Sequence, residues 1–179
     1  RQSPPDLVLS GVNRSNNSGE NTVYSGTIGG AMEGALQGIP SIALSQFYGP
    51  RNAGLIDEFE AATVHGAELV RDLLKNGQWE SEGGYHTFYS VNFPPLPASE
   101  VKGRKVCIQG LRPGVRFSVE AATPPNGRRF LWVRGGPQDV ETGEGTDVQA
   151  NVDGYISITP MRADLTAHDQ IADLRTALE

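Results

Sequence analysis

The sequence predicts an α/β protein: a mostly parallel sheet flanked by helices, with an antiparallel hairpin added in its second half. Three observations predict it. Short apolar runs alternate with stretches of helical period through the first half, giving strand, helix, strand, helix, strand. The opening run Leu7-Val8-Leu9 is apolar throughout, as strands covered on both faces are. Two alternating segments then flank Asn126-Gly127, a strong hairpin signal.

The first strand spans Asp6 to Ser10, and a polar stretch from Gly11 to Asn21 reads as loop. A helix follows from about Tyr24 to Gln37, with Ala31, Met32, Ala35 and Leu36 at helical spacing. Gly30, Gly34 and Gly38 fall four apart and predict a flat face pressed against the sheet, and Gly38 with Pro40 ends the helix. Ser41 to Ser45 is the second strand. A long amphipathic helix runs from about Ala53 to Lys75, its buried side marked by Ile56, Phe59, Val64, Ala67, Val70, Leu73 and Leu74. Thr87 to Phe93 is the third strand, closed by Pro94-Pro95. The order implies right-handed crossovers.

Beyond these, Val106 to Leu111 reads as a strand, and Val115 to Ala121 with Arg128 to Arg134 as the hairpin, with Arg112, Arg116, Arg128, Arg129 and Arg134 nearby. Asp139 to Asp147 reads as an acidic loop, Gly154 to Pro160 as a strand, and a final helix opens at Asp164 or Thr166. The expected organisation is a core over residues 1–110 and, over 111–179, the hairpin extension with the C-terminal strand and helix. A buried strand so close to Arg1 needs neighbours and covering helices, so further strands are expected before it.

The 179 residues carry 22 glycines and 12 prolines without a Gly-X-Y period, which excludes a collagen-like chain. A net charge of −6 argues against a protein that coats nucleic acid or anionic membrane. One cysteine, Cys107, excludes a disulfide framework and a cysteine-based zinc site. With no long apolar run and no signal-like segment, the expected location is the cytoplasm.

Ligands of an open α/β sheet sit beyond the C-terminal strand ends, so the loop after Ser10 belongs to the functional rim. It returns at Ser25-Gly26-Thr27, a helix N-terminus with free N–H groups, a glycine for close approach and two hydroxyls. Either this is a site for one phosphate or Ser25 and Thr27 are ordinary capping residues. Asn13, Asn16 and Asn17 crowd the same loop. Amide oxygens suit a hard divalent cation and amide hydrogens suit phosphate, but carboxylates would have to come from elsewhere. A turn-rich loop accounts for them equally well. No side chain offers a convincing covalent nucleophile. His65 reads as a surface or helix-packing residue, and Cys107 as a small buried one.

Several linked segments resemble the SurE family of 5′/3′-nucleotidases: Pro5 to Asn13, then Asn17 and Gly19, Tyr24 to Thr27, Ala31 to Gly34 and Gly38 to Ala43. Val91 to Pro94, Gly145-Thr146-Asp147 and Gly154 to Pro160 agree. The resemblance implies a Rossmann-like fold whose hairpin and C-terminal segment serve in a homodimer or homotetramer. It implies metal-dependent hydrolysis of nucleoside monophosphates, with Mg²⁺ or Mn²⁺ as cofactor and no polymeric nucleic acid or membrane as partner. The family holds its metal with two adjacent N-terminal aspartates, a loop serine and an asparagine; of these Asn13 alone is matched. Asn17, Ser25, Gly26 and Thr27 match positions lining the phosphate site. Ser15 stands where the family often has glycine. Without the acidic pair, the chain by itself is expected to be inactive, and the alternative is a non-catalytic nucleotide- or phosphate-binding or oligomerisation fragment.

Overall fold

The computed structural model describes residues 3–80, 84–115, 118–123 and 127–179. Strand β1 (Val8–Arg14) leads through a 3-10 turn (Gly19–Tyr24) into helix α1 (Gly26–Leu36), then β2 (Ser41–Gln46), α2 (Glu60–Asn76) and β3 (Phe88–Phe93). There follow β4 (Arg104–Val106), β5 (Ser118–Ala122), β6 (Phe130–Arg134), α3 (Asp147–Val152), β7 (Ile156–Met161) and α4 (Ile171–Leu178). The main sheet has the order β1-β2-β3-β7-β4, and β5 pairs with β6 apart from it. β1, β2 and β3 run parallel, β7 runs antiparallel to β3, and β4 runs parallel to β7. This is the mostly parallel α/β sheet with a separate antiparallel pair that the sequence predicts. The C-terminal strand β7 thus pairs within the sheet built by residues 8–106.

Both faces of β2 and β3 are covered, and these strands are buried at every position, whereas β1, expected from its apolar run to be covered on both faces, lies at the sheet edge with Leu9 exposed, and β4 at the other edge is exposed throughout. Ile42, Leu44, Val91 and Phe93 pack with Ala61, Ala62 and Leu69 of α2 on one face. Ala43 and Phe88 meet Ile28, Ala31 and Ala35 of α1 on the other. Glycine lets α1 approach closely. A Cβ at Gly30 would stand 2.8 Å from Ser10 Oγ, and one at Gly34 2.3 Å from Ser41 Oγ. Gly38 is not part of that contact. Its φ of +75° places it in the left-handed conformation that stops the helix.

Several boundaries differ from the sequence reading. β1 continues through the supposed loop to Arg14, with an irregularity between Ser10 and Asn13 in its register against β2. Gly11 makes this possible: its φ is +126°, and a Cβ there would lie 2.2 Å from the Leu44 carbonyl oxygen. A glycine inside a bulged strand carries the same local signal as a glycine in a loop. α2 begins at Glu60 rather than near Ala53. Asn52 ties up the preceding segment, accepting from Gly49 N and donating to the Phe47 and Glu58 carbonyls, while Asp57 accepts from Phe59 N and the Thr63 hydroxyl. Ile56, Val64, Ala67 and Leu74 are therefore exposed; the buried stripe is Ala61, Ala62, Gly66 and Leu69. The acidic loop ends in a short helix, α3, capped by Thr146 Oγ1 accepting from Gln149 N. Arg116 and Asn126 of the predicted hairpin lie outside the described residues. Among the described residues no helix is long and apolar enough to cross a membrane.

Candidate phosphate site at the C-terminal rim

β1, β2 and β3 all end on one rim, and a row of polar residues crosses them near that end. Asn13 pairs in register with Ser45, Ser45 with Asn92, and Asn92 with Ser157 of β7. Ser45, Asn92 and Ser157 are almost fully buried. Such a row inside an apolar sheet needs partners, because an unpaired buried polar group costs about 1–3 kcal/mol. The loop after β1 supplies them. Asn17 donates its backbone N–H to Asn92 Oδ1 at 2.7 Å and its Nδ2 to Ser45 Oγ at 2.6 Å. Asn151 of α3 donates Nδ2 to the Asn92 carbonyl at 2.9 Å.

The loop is then fastened from the far end of the chain. The Arg112 side chain is fully buried. It donates from Nη1 to the Ser18 carbonyl and Glu20 Oε1, from Nη2 to Asn16 Oδ1 and Ser18 Oγ, and from Nε to the Gln138 carbonyl. Asp147 accepts from Gly19 N at 3.0 Å, Gly110 N at 2.8 Å and Val148 N at 2.8 Å. Burial pushes the Asp147 carboxyl above its ordinary range, against the opposing pull of those three N–H donors and Arg112. Asn21 Nδ2 reaches Gln138 Oε1, which brings the segment after the hairpin onto the loop.

The tip of α1 comes to the same rim. Gly34 lies over Val8 and Ser41 and Gly30 over Ser10, so the helix runs back along β1 and its first residues reach the strand's C-terminal end. Ser25 caps it, with Oγ accepting from Ile28 N at 3.1 Å, and the Ser25 carbonyl takes Gly29 N at 2.9 Å. The first four N–H groups of a helix have no intrahelical acceptor. Of the four, that of Ser25 goes to the Thr22 carbonyl and that of Ile28 to Ser25 Oγ, which leaves those of Gly26 and Thr27.

The predicted site residues thus share one edge of the sheet without lining one cavity. Asn17 lines an open cavity of about 370 Å³ with Ser15, Asn16, Asn21, Tyr24 and Gln138; Asn13 and Ser25 to Thr27 lie outside that lining. Asn13 uses its Nδ2 on the Ser15 carbonyl. Sequence reasoning missed Ser45 and Asn92, for which the signal was a polar residue near the end of an otherwise apolar strand. It also missed the part played by Arg112, which looked like its four neighbours in composition. Nothing local distinguishes a buried arginine from an exposed one.

The family model "Survival protein SurE" matches residues 1–114. A protein of Cereibacter sphaeroides named 5'-nucleotidase SurE is 61% identical over 97% of this chain and 66% of its own length. One of the same name from Roseobacter denitrificans is 60% identical over the same shares. The crystal structure of the SurE protein from Aquifex aeolicus superposes with a TM-score of 0.72 at 37% identity, over 98% of this chain and 66% of that one. The chain spans about two thirds of the length of these relatives. By motif, by overall identity and by fold, the chain belongs to the SurE family.

Proposed function

We propose that this rim binds the phosphate of nucleoside monophosphates and belongs to a phosphomonoester hydrolase acting on 5′- and 3′-nucleotides. Relatives named as 5'-nucleotidases support the substrate class. The observation that carries the reading is the pinned Asn17 beside a helix tip on one sheet edge. The N–H groups of Gly26 and Thr27, the hydroxyls of Ser25 and Thr27, and the second Nδ2 hydrogen of Asn17 would meet the phosphate oxygens. Ser45 and Asn92 hold Asn17 before any ester arrives, so its donor is already oriented.

Family resemblance implies a divalent cation, Mg²⁺ or Mn²⁺, with Asn13 as one ligand. Such a cation takes about six oxygen ligands, one or two of them carboxylates and several of the rest water. Among the described residues no three His, Cys, Asp or Glu side chains come together to hold a metal, and Asn13 offers one neutral oxygen. The described residues do not by themselves fit a divalent cation. What they perform is binding and orientation of the ester. The same reading gives the exposed β5–β6 pair and α4, which buries no residue, to contacts between copies in a homodimer or homotetramer.

The test is phosphate release from AMP with Mn²⁺, Mg²⁺ or a chelator. Metal-stimulated release upholds the hydrolase. AMP binding without release at any metal concentration upholds a binding module instead. Loss of AMP binding in Thr27→Ala and Asn17→Ala, both folded by circular dichroism, is expected in either case.

A further inference from the structure

Ser45 and Asn92 hold Asn17 at its own atoms, but its direction also depends on the residues on either side of it. Both of these are gripped by one side chain from the segment after β4. Arg112 Nη2 donates to Asn16 Oδ1 at 3.1 Å and to Ser18 Oγ at 3.0 Å, and Nη1 donates to the Ser18 carbonyl at 3.2 Å. Asn16 Oδ1 is the centre of the turn, since it also accepts from Ser18 Oγ and from Asn21 Nδ2.

An arginine on the rim of a phosphate site invites the reading that it binds the anion itself. The donor count excludes that reading here. A guanidinium has five N–H donors. Nε gives its one to the Gln138 carbonyl, Nη1 its two to the Ser18 carbonyl and Glu20 Oε1, and Nη2 its two to Asn16 Oδ1 and Ser18 Oγ. The side chain is fully buried, and Glu20 meets both its charge and its backbone N–H. No donor is left for a phosphate oxygen, and four of the five bonds go to residues 16–20. Gln138 closes the clamp from the other side, because its carbonyl takes Arg112 Nε while its Oε1 takes Asn21 Nδ2. Arg112 and Gln138 stand before and after the β5–β6 pair, so the base of that pair is what grips the loop.

We infer that Arg112 is a positioning residue for phosphate recognition: it fixes Asn16 and Ser18 and thereby sets the aim of the Asn17 amide, without touching the ester. The inference rests on the phosphomonoester reading for the identity of the ligand. It adds that a side chain from outside the β1–α1 unit determines the affinity of that unit.

Calorimetric titration with AMP and amide hydrogen exchange, both on the same chain, test it. Arg112→Lys keeps the charge but not the planar fork. It should weaken AMP binding about tenfold, and Ser18→Ala, which leaves the guanidinium in place and removes one of its acceptors, about threefold. In both variants the Asn17 and Gly19 amides should exchange faster by a larger factor than the amides of β2 and β3. Leu73→Ala, which thins the packing of α2 away from the rim, should lower the melting temperature yet bind AMP within twofold of the parent. Parent-like AMP affinity in Arg112→Lys, or in Ser18→Ala should the lysine variant not fold, would overturn the positioning role. So would an equal loss of affinity in Leu73→Ala, which would make the effect one of stability alone. A parent chain that binds no AMP would remove the phosphate reading instead, and the exchange of Asn17 and Gly19 in the two variants would then decide by itself whether Arg112 sets the loop.

Discussion

Arg112 Nη2 donates to Asn16 Oδ1 at 3.1 Å, joining the segment after β4 to the loop after β1 across 96 residues of chain. The guanidinium is the hub of that loop. It is fully buried, and the carboxylate it meets, Glu20, is partly so. Removing one partner of a buried pair leaves an uncompensated charge and costs about 3–5 kcal/mol. Arg112→Met is expected to lower stability by an amount of that order, read from urea unfolding. Arg112→Lys should recover little of it, because an ammonium cannot reproduce the planar fork that spans Ser18, Glu20 and Asn16.

Two glycines of α1 should respond in opposite senses. At Gly34 an added methyl group would stand 2.3 Å from Ser41 Oγ and 2.9 Å from Val8 Cγ2. Gly34→Ala is expected to push the helix from the sheet and to destabilise by about 1–3 kcal/mol. At Gly29 nothing lies within 4 Å. Gly29→Ala should stabilise by roughly 0.5–1 kcal/mol through helix propensity alone. Thermal melts of the two variants make the comparison. Equal effects would mean that α1 is not seated on β1 as described.

The same contrast shows what could be read in the sequence. Close approach at Gly30 and Gly34 was legible because glycines four apart fall on one face of a helix. That the chain after β1 and the tip of α1 share one rim was legible from strand order. The extent of β1 was not, since Gly11 looks the same in a loop as in a bulge, and its need for glycine comes from Leu44, 33 residues away. The start of α2 was hidden for a related reason: Asn52 and Asp57 compete locally for backbone groups that a helix would otherwise use. Arg112, Ser45 and Asn92 gain their roles from partners distant in sequence, which a local pattern cannot carry.

Ser15 is a non-glycine residue with positive φ, at 150°. That region disfavours a side chain by about 1–3 kcal/mol. Glycine removes the strain but adds freedom to the unfolded chain, an offset of about 0.4–1 kcal/mol. Ser15→Gly should therefore stabilise by about 1 kcal/mol. A drop in the unfolding midpoint would show that the Ser15 side chain contributes more than its backbone loses.

Asp164 opens the C-terminal segment. The Thr166 hydroxyl, the Thr166 N–H and His168 hold its carboxyl down to about 2, below the ordinary value. A lowered folded-state pKa means that the stabilising contribution is complete above about 4, the unfolded value, and is lost as pH falls toward 2. The Thr166 amide resonance should titrate with a midpoint near 2 and become insensitive to pH in Asp164→Asn. A midpoint at 4 would mean that the three contacts do not persist in solution.

The proposed contact between copies falls first on the β5–β6 pair. Phe130, Leu131, Trp132 and Val133 are between 46% and 67% exposed, and Val119 on the facing strand is 61% exposed. A contiguous exposed apolar ribbon is the kind of surface the proposed contact between copies calls for. Glu120 of β5 and Arg134 of β6 pair with each other across the ribbon. Trp132→Glu together with Val133→Glu is expected to halve the mass measured by sedimentation equilibrium, or halve it once more if a tetramer is built from two such contacts. An unchanged mass in a folded double variant would take the hairpin out of the interface and leave α4, with its exposed Leu174 and Leu178, as the surface to alter next.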